Sequence, residues 1–370
     1  MTFGIDFSRS LMSHRTGVEW YSYYLFEEFK KIARLHPDEQ FFFYFRDEVP
    51  KEVMPSNVAV RQVKSINVKG RAWLWTQLGL SLELFREHPD VLFVPSHALP
   101  IICPSRAVIT IHDVGFLRNP SWYSDAGRAY HRFAIRFAAK HARKIIVPSE
   151  FTKKELLELT NVKPSKVIVT HLGFDAQRYH PNLDQDKIKQ IAEKYNLRAQ
   201  HYFLNIGRRE EKKNIFKLLK AFCVDELAGH DVDLVLVGPK GFNYEKIETM
   251  LPRPNVRELD YVPEEDLPYL LSGARALLMP SFYEGFGLPP LQAMAVGTPV
   301  LISNAGSLPE ICGEAAVIVD PYDEKDITRG IIEILGEGRA QELRYKGYEK
   351  IKQFSWEKCA YETFAILKQV

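Results

Sequence analysis

The residues Ser281–Val300, SFYEGFGLPPLQAMAVGTPV, set one carboxylate, Glu284, between aromatics and a Gly285-Phe286-Gly287 turn. The preceding ALLMPS reads as a strand, and a helix is predicted from Leu288, with Pro289 and Pro290 in its first turn, where a missing amide hydrogen costs nothing. Gly297 is a plausible stop. Free amides at such a helix start, with glycines that admit close approach, form an anion site, and phosphate is the obvious anion. Glu284 would repel a phosphate it touched, so it suits the hydroxyls of a group attached to that phosphate. Gln292 lies one turn beyond Leu288, and helical side chains lean toward the N-terminus, back into the same place. A phosphate flanked by hydroxyls describes a sugar nucleotide. The plain alternative is a glycine turn capping a buried helix, with Glu284 solvated.

Three further stretches follow strand-like runs. In FLNIGRREEKKNIFKLLKAF, Gly207 leads into Arg208, Arg209, Lys212 and Lys213. Cations at the end of a strand would neutralise a diphosphate, Arg as a fork of donors and Lys as a point charge; with Glu210 and Glu211 among them, a solvated mixed-charge turn is the competing reading. In AVITIHDVGF, His112 and Asp113 follow a buried strand, where a His can bond a sugar hydroxyl or handle a proton near neutral pH. A lone His is more often structural. After the first strand, a turn-rich loop ends at Thr16-Gly17, a further contact point for phosphate or hydroxyl. The G-x-G-x-x-G dinucleotide fingerprint is absent there, which argues against a nicotinamide enzyme.

The elements that must position these residues come in two series. Strand-like runs at 3–7, 41–45, 91–95, 107–111, 144–148 and 166–170 alternate with helical patterns near 17–31, 71–87, 124–142 and 150–160. A second set at 202–206, 232–238, 276–280, 299–303 and 315–319 alternates with helices near 213–227, 264–273, 288–296 and 324–335. Continuous apolar strands are covered on both faces, which indicates parallel α/β sheets. The break falls in the turn-rich stretch 170–187. Two domains are therefore expected, with the division near 175/176 and the second running to about 353. Doubly wound sheets place ligands at the carboxyl ends of their strands, where strand order reverses, so a site between facing sheet edges is expected.

The 370 residues suit two domains, with 46% hydrophobic and 26% charged residues. The four cysteines have no C-x-x-C spacing, which argues against a metal site or disulfide framework and for a reducing compartment. The N-terminus lacks the pattern of a signal peptide and no apolar run reaches membrane-span length, so a soluble, cytoplasmic protein is expected. Net charge is +2, with 25 basic and 18 acidic residues over 1–180 against 24 and 29 over 181–370. No nucleic-acid partner is expected.

Together these stretches resemble the family 4 retaining glycosyltransferases of GT-B fold. The likeness runs over nearly the whole chain: RTGVEWY, TIHDV, VPSEFTKKEL, THLGFD, IGRREEKKN, the Glu284 stretch, SLPEICGEAAVIVDPYD and the final FSWEKCAYETF. The resemblance implies α/β architecture with two Rossmann-like domains across a cleft, 1–175 for the acceptor and 176–353 for the donor, and a C-terminal helix, 354–370, that crosses back onto the first. It implies that Arg208 and Lys213 hold the donor diphosphate, that Glu284 contacts the transferred sugar, and that amides of Phe286, Gly287 and Leu288 hold sugar and phosphate. It places His112 beside the reacting sugar. Gly17, Gly207, Gly285 and Gln292 complete the implied donor side, with Thr16 and Asp113 on the acceptor side. No metal or other cofactor is implied; the co-substrate is a GDP- or UDP-hexose, mannose or glucose, and the acceptor a glycan or lipid-linked hydroxyl. Gln292 stands where the family commonly has a second glutamate, and Glu19 where it often has a glycine. A catalytically silent nucleotide-sugar-binding subunit, a nucleotide-sugar epimerase and a phosphorylase are the rival readings.

Two helical stretches raise a question of membranes. Arg128, Arg132, Arg136 and Lys140 recur every four residues and form one basic stripe on a helix, readable as a solvated face or as docking on anionic lipid at the inner membrane face. RAWLWTQLGLSLELF (71–85), with Trp73 and Trp75, fits an ordinary core-facing helix better than a membrane anchor.

Overall fold

The computed structural model describes residues 1–64, 75–104 and 106–370. The chain forms two compact units: Met1–Arg118, Asp125–Gly173 and Trp356–Val370 make the first, and Asn119–Ser124 with Phe174–Ser355 the second.

In the first unit, β1 (Thr2–Asp6), α1 (Gly17–Leu35), β2 (Gln40–Phe45) and β3 (Val58–Gln62) are followed by a π-helical turn over Trp75–Leu80 and by α2 (Ser81–Arg86). Then come β4 (Val91–Val94), β5 (Ala107–Thr110), α3 (Gly115–Arg118), α4 (Asp125–His141), β6 (Lys144–Val147), α5 (Glu150–Leu159) and β7 (Val167–Val169). All neighbouring strands pair parallel, in the order β3-β2-β1-β4-β5-β6-β7. Strand order reverses between β1 and β4, so the loops leaving these two strands diverge and open a crevice at their carboxyl ends. The C-terminal helix (Trp356–Lys368) closes this unit: Phe364 packs edge-on to Phe3 at 5.3 Å, and Trp356 stacks on Tyr24 of α1 at 4.9 Å.

The second unit runs α6 (Gln185–Lys194), β8 (Tyr202–Ile206), α7 (Ile215–Phe222), α8 (Asp225–Ala228), β9 (Asp233–Val237), α9 (Glu245–Glu248), β10 (Val256–Leu259) and α10 (Leu267–Gly273). It continues with β11 (Ala276–Met279), α11 (Leu288–Ala295), β12 (Val300–Ser303), α12 (Leu308–Cys312), β13 (Val317–Val319), α13 (Glu324–Leu335) and α14 (Glu337–Ile351). This sheet too is parallel, in the order β10-β9-β8-β11-β12-β13, with its reversal between β8 and β11. β11 and β12 are buried at every position, as a strand covered on both faces must be.

Several details depart from the sequence reading. Edge strands β3 and β10 have only partly buried or exposed side chains, and so lack the continuous apolar run that marks their neighbours. Residues 170–187 are not all connection, because α6 starts at Gln185, capped by the Asp184 carboxylate on the amides of Asp186 and Lys187. The helix expected over 213–227 is divided. Asn214, with φ +59°, separates a 3₁₀ turn (Glu211–Lys213) from α7, and Cys223 and Val224 separate α7 from α8. Residues 119–124 count with the second unit: Trp122 lies parallel to Phe282 at 6.3 Å, and Asn243 donates to the Ser121 carbonyl at 3.2 Å. Phe354 also packs there, on Phe286 at 5.9 Å, so the returning helix begins at Trp356. Of the stretch 71–85, Trp73 lies outside the described residues. From Trp75 onward, Trp75, Leu80 and Leu84 are buried, but Leu78, Leu82 and Phe85 form a second, exposed apolar stripe that core packing does not explain.

Candidate active site

In the second unit the reversal of strand order sends the loops after β8 and β11 toward each other. Gly207 follows β8 at φ +147°, a conformation that only glycine adopts readily, and Lys213 lies across it. A Cβ on Gly207 would sit 3.4 Å from Lys213 Cε. Gly238, at φ +132°, brings its own backbone against the Gly207 carbonyl. Asn214 then turns the chain and donates to the carbonyls of Pro280 (2.9 Å) and Pro321 (2.8 Å), tying this loop to the ends of β11 and β13. The Phe282 amide donates to the Lys212 carbonyl at 2.9 Å, which joins the two loops directly.

These constraints bring Lys213 onto Glu284. The ammonium donates to both carboxylate oxygens, at 2.6 and 2.8 Å, with 16% and 11% of the two side chains exposed. A pair so sheltered is weakly screened, yet it remains reachable from solvent. Beyond Glu284 the backbone turns through Gly287 (φ +111°), the residue before α11, and the half-buried Gln292 sits one turn into that helix. The first-turn amides of α11 are left without partners within the helix, as an anion site requires.

The sequence reading missed what holds this turn. The Ser307 hydroxyl lies between the carbonyls of Glu284 (3.0 Å) and Phe286 (2.8 Å), sharing its one proton with them, and its amide donates to Glu284 O at 3.1 Å. Gly306 presses against the Glu284 backbone, where a Cβ would fall 2.8 Å from the Glu284 nitrogen. The signal present in the sequence was the small-residue run NAGS after β12.

The four cations after β8 separate by role. Arg209 is 1% exposed, pairs with Glu258 and Asp260, and lies over the Tyr244 ring at 5.4 Å. It is built into the wall of the domain, so of the four cations it is not available to a diphosphate. Lys212 lies near Tyr123 and Glu210, each at 3.4 Å. Arg208 is exposed, with its aliphatic stem across Gly241, and is not drawn into the Lys213–Glu284 pair.

In the first unit the remaining residues gather at the carboxyl edge of the sheet. His112 follows β5; its Nε2 lies 3.0 Å from the Pro95 carbonyl, and Tyr21 meets the ring edge-on at 4.8 Å. Asp113 accepts from the Gly115 amide at the start of α3 (3.1 Å). Two histidines not anticipated from sequence complete the cluster. His97, from the loop after β4, lies 5.3 Å from His112 and 6.1 Å from His131 of α4, ring centre to ring centre. Burial lowers the affinity of all three for a proton; in His97, burial and then the neighbouring His112 push the pKa down to about 3.

Thr16 and Gly17 open α1. The Glu19 carboxylate accepts from the Thr16 amide (3.1 Å) and hydroxyl and pairs with Arg9 at 2.6 Å, closing a capping box. Burial raises the Glu19 pKa, but the hydrogen bonds from Thr16 and the charge of Arg9 outweigh it and hold the carboxyl below its usual range. Glu19 thus has a structural task at the position where the family often has glycine. Nothing lies within 4 Å of where a Cβ on Gly17 would stand, so this position is open.

Two parallel α/β domains, each with a reversal of strand order, give the chain the GT-B fold, which it shares with its solved neighbours. Residues 16–178 match the family described as Glycosyltransferase Family 4, and residues 184–351 the one described as Glycosyl transferases group 1. O-antigen chain mannosyltransferase B of Escherichia coli is 35% identical over 290 residues, covering 76% of this chain and 75% of that protein. O-antigen chain mannosyltransferase RfbU of Salmonella typhimurium is 25% identical, covering 84% of each chain. Among solved structures, sucrose-phosphate synthase from Thermosynechococcus elongatus shares the fold with a TM-score of 0.77 and 19% identity, covering 100% of this chain and 98% of that one. HepE of Anabaena, in complex with UDP and glucose, has a TM-score of 0.71 and 15% identity, with 100% of each chain covered. The chain belongs to the family 4, group 1 glycosyltransferases and is a glycosyltransferase.

Proposed function

We propose that this enzyme is a retaining mannosyltransferase that moves mannose from a nucleotide diphosphate sugar to a glycan hydroxyl in polysaccharide or glycolipid synthesis. The observation that carries the reading is the sheltered Lys213–Glu284 pair beside the first turn of α11. A cation and a hydroxyl acceptor stand side by side there, as the two halves of a sugar diphosphate need. In this reading Lys213 and Arg208 hold the diphosphate, and the amides of Phe286, Gly287 and Leu288 add dipoles where charge develops on the departing phosphate. Glu284 and Gln292 hold hydroxyls of the sugar and of the nucleotide. On the same reading, Thr16 and Asp113 of the first unit bind the acceptor, while Gly17 belongs to the donor side and His112 acts beside the reacting sugar. The choice of mannose rests on the two O-antigen chain mannosyltransferases among the relatives.

Positive side chains disperse the leaving-group charge in this scheme, so no metal or other cofactor is required. The test is transfer to a soluble glycan acceptor from GDP-mannose and from UDP-glucose, with excess chelator, following the product by proton NMR. A product of the donor's own anomeric configuration, formed undiminished with chelator, is expected. An inverted product, or a donor consumed without transfer, would overturn the reading.

A further inference from the structure

Phe282 stands two residues before Glu284, and two further aromatics lie against it. The Tyr322 ring stacks on Phe282 at 4.9 Å, 28° from parallel, and Trp122 lies within 10° of parallel at 6.3 Å. Trp122 also meets Tyr283, at 6.3 Å. Each ring of the column comes from a different part of the second unit. Trp122 belongs to the stretch Asn119–Ser124, Phe282 to the loop after β11 and Tyr322 to the loop after β13.

The backbones that carry these rings are pinned. The Asn119 side chain accepts from the Ser121 amide (3.3 Å) and hydroxyl (2.7 Å), and the Ser121 carbonyl accepts from Asn243. The Tyr322 amide donates to Asp320 at 2.8 Å and its carbonyl accepts from Lys217 at 3.1 Å, while Asn214 holds the Pro321 carbonyl before it. Yet the rings are not sealed. Tyr322 is 66% exposed, and Trp122 and Phe282 are only half-buried. Rings whose sole task was to pin 119–124 to the domain would be covered by what they pin. Aromatic faces held in place and left open to water mark a surface for a ligand.

The chemistry of that ligand follows from the rings. One face of a pyranose carries C–H groups of partial positive charge, which suit the negative face of an aromatic ring, and the Tyr hydroxyl and Trp N–H can bond sugar hydroxyls at the rim. Two residues of chain span at most about 7 Å, so Phe282 lies close to whatever Glu284 holds. Phe282 precedes Glu284, and the amides of Phe286, Gly287 and Leu288 follow it. With the reacting hexose on Glu284 and its phosphate on those amides, the reading on which this inference rests, the column falls to the glycan and not to the nucleotide. We propose that Trp122, Phe282 and Tyr322 form a stacking subsite for a pyranose of the acceptor glycan that does not itself react.

Saturation-transfer NMR with the aromatic protons irradiated and GDP present reads contact with α-mannotetraose directly. Transfer from GDP-mannose to α-mannotetraose and to methyl α-mannoside reads its effect. The wild-type chain should pass saturation to the tetraose and prefer it to methyl α-mannoside, which is too short to reach the column. Trp122→Ala and Tyr322→Ala should each weaken the signal and lose about 10-fold of that preference, through the acceptor KM. Trp122→Phe should keep most of both. GDP affinity and the thermal midpoint of these variants should match wild type, which separates the subsite from folding. No signal from wild type to the tetraose, or an unchanged signal and preference in both alanine variants, would overturn the proposal. So would weaker GDP binding in either variant, which would give the column to the nucleotide. A signal lost in Trp122→Ala, from a wild-type chain that transfers no mannose, would uphold the subsite and overturn the mannosyltransferase reading instead.

Discussion

Lys213 spans the Gly207 backbone and is held by both oxygens of Glu284, so the two groups expected to divide a sugar diphosphate between them neutralise each other without it. In the proposed reading, donor entry exchanges this one ion pair for two contacts, ammonium to phosphate and carboxylate to hydroxyl. The two side chains are therefore not equivalent on mutation. If Glu284 holds the reacting sugar as proposed, Glu284→Ala should lower kcat on the order of 100-fold or more. It should leave the nucleotide diphosphate bound as tightly or slightly more tightly, because Lys213 is released to it. Lys213→Ala should weaken both. Calorimetric affinity for the nucleotide product, measured beside steady-state rates, separates the two; unchanged turnover in Glu284→Ala removes it from the site.

The adjacent arginines should respond in opposite ways. Arg209→Met removes a buried guanidinium from Glu258 and Asp260 and should cost on the order of 2 kcal/mol of stability, with the donor KM little changed. The cost is limited because Asp260 is 80% exposed and regains water when its partner leaves. Arg208→Ala should leave the unfolding midpoint unchanged and raise the donor KM. Urea unfolding and donor saturation curves on both variants decide it; a donor KM effect from Arg209 with no loss of stability would reverse the assignment.

That contrast marks how far the sequence could be read. The buried parallel strands, the helix after Gly287 and the pairing of the second-domain motifs were legible, because continuous apolar runs and glycine turns are local signals. The distinction between Arg208 and Arg209 was not, because the partners of Arg209 lie some 50 positions away on and beyond β10, an edge strand without an apolar run. His97 and His131 were missed for the same reason: each looks like an isolated histidine until β4, β5 and α4 bring the rings together. The clamp from Ser307 to Glu284 likewise depends on β11 and β12 being neighbours.

The histidine cluster should be visible in the acid stability of the protein. Folded His97 titrates at about 3, driven down first by burial and then by His112, with His131 and Arg9 adding to the shift and Asp113 opposing it. In the unfolded chain it titrates near 6.5. Between those values the unfolded chain takes up a proton that the folded chain does not, so stability is intact above about pH 6.5 and falls as pH drops toward 3. Each such group contributes a slope of about 1.4 kcal/mol per pH unit. His97→Gln should remove one of them, so by pH 5 the variant should have lost roughly 2 kcal/mol less than wild type, each relative to its own value at neutral pH. Urea midpoints at several pH values give the two slopes; equal slopes would show that His97 is not held neutral in the folded state.

Gly287 offers a test of the turn itself. Its φ of +111° is disfavoured for any side chain, and a Cβ there would meet Leu308 Cδ2 at 2.7 Å. Gly287→Ala must therefore rotate the backbone and shift the end of the Leu308 side chain, at a cost of about 1–3 kcal/mol. Because the residue precedes α11, rotating its backbone also moves the first-turn amides. Donor affinity should fall together with the thermal midpoint. The companion variant Gly17→Ala separates the two effects, since nothing occupies its Cβ position and it should fold at the wild-type midpoint. Thermal unfolding with and without nucleotide diphosphate measures both quantities. If Gly287→Ala keeps the wild-type ligand-induced shift, the turn before α11 is not where phosphate is held.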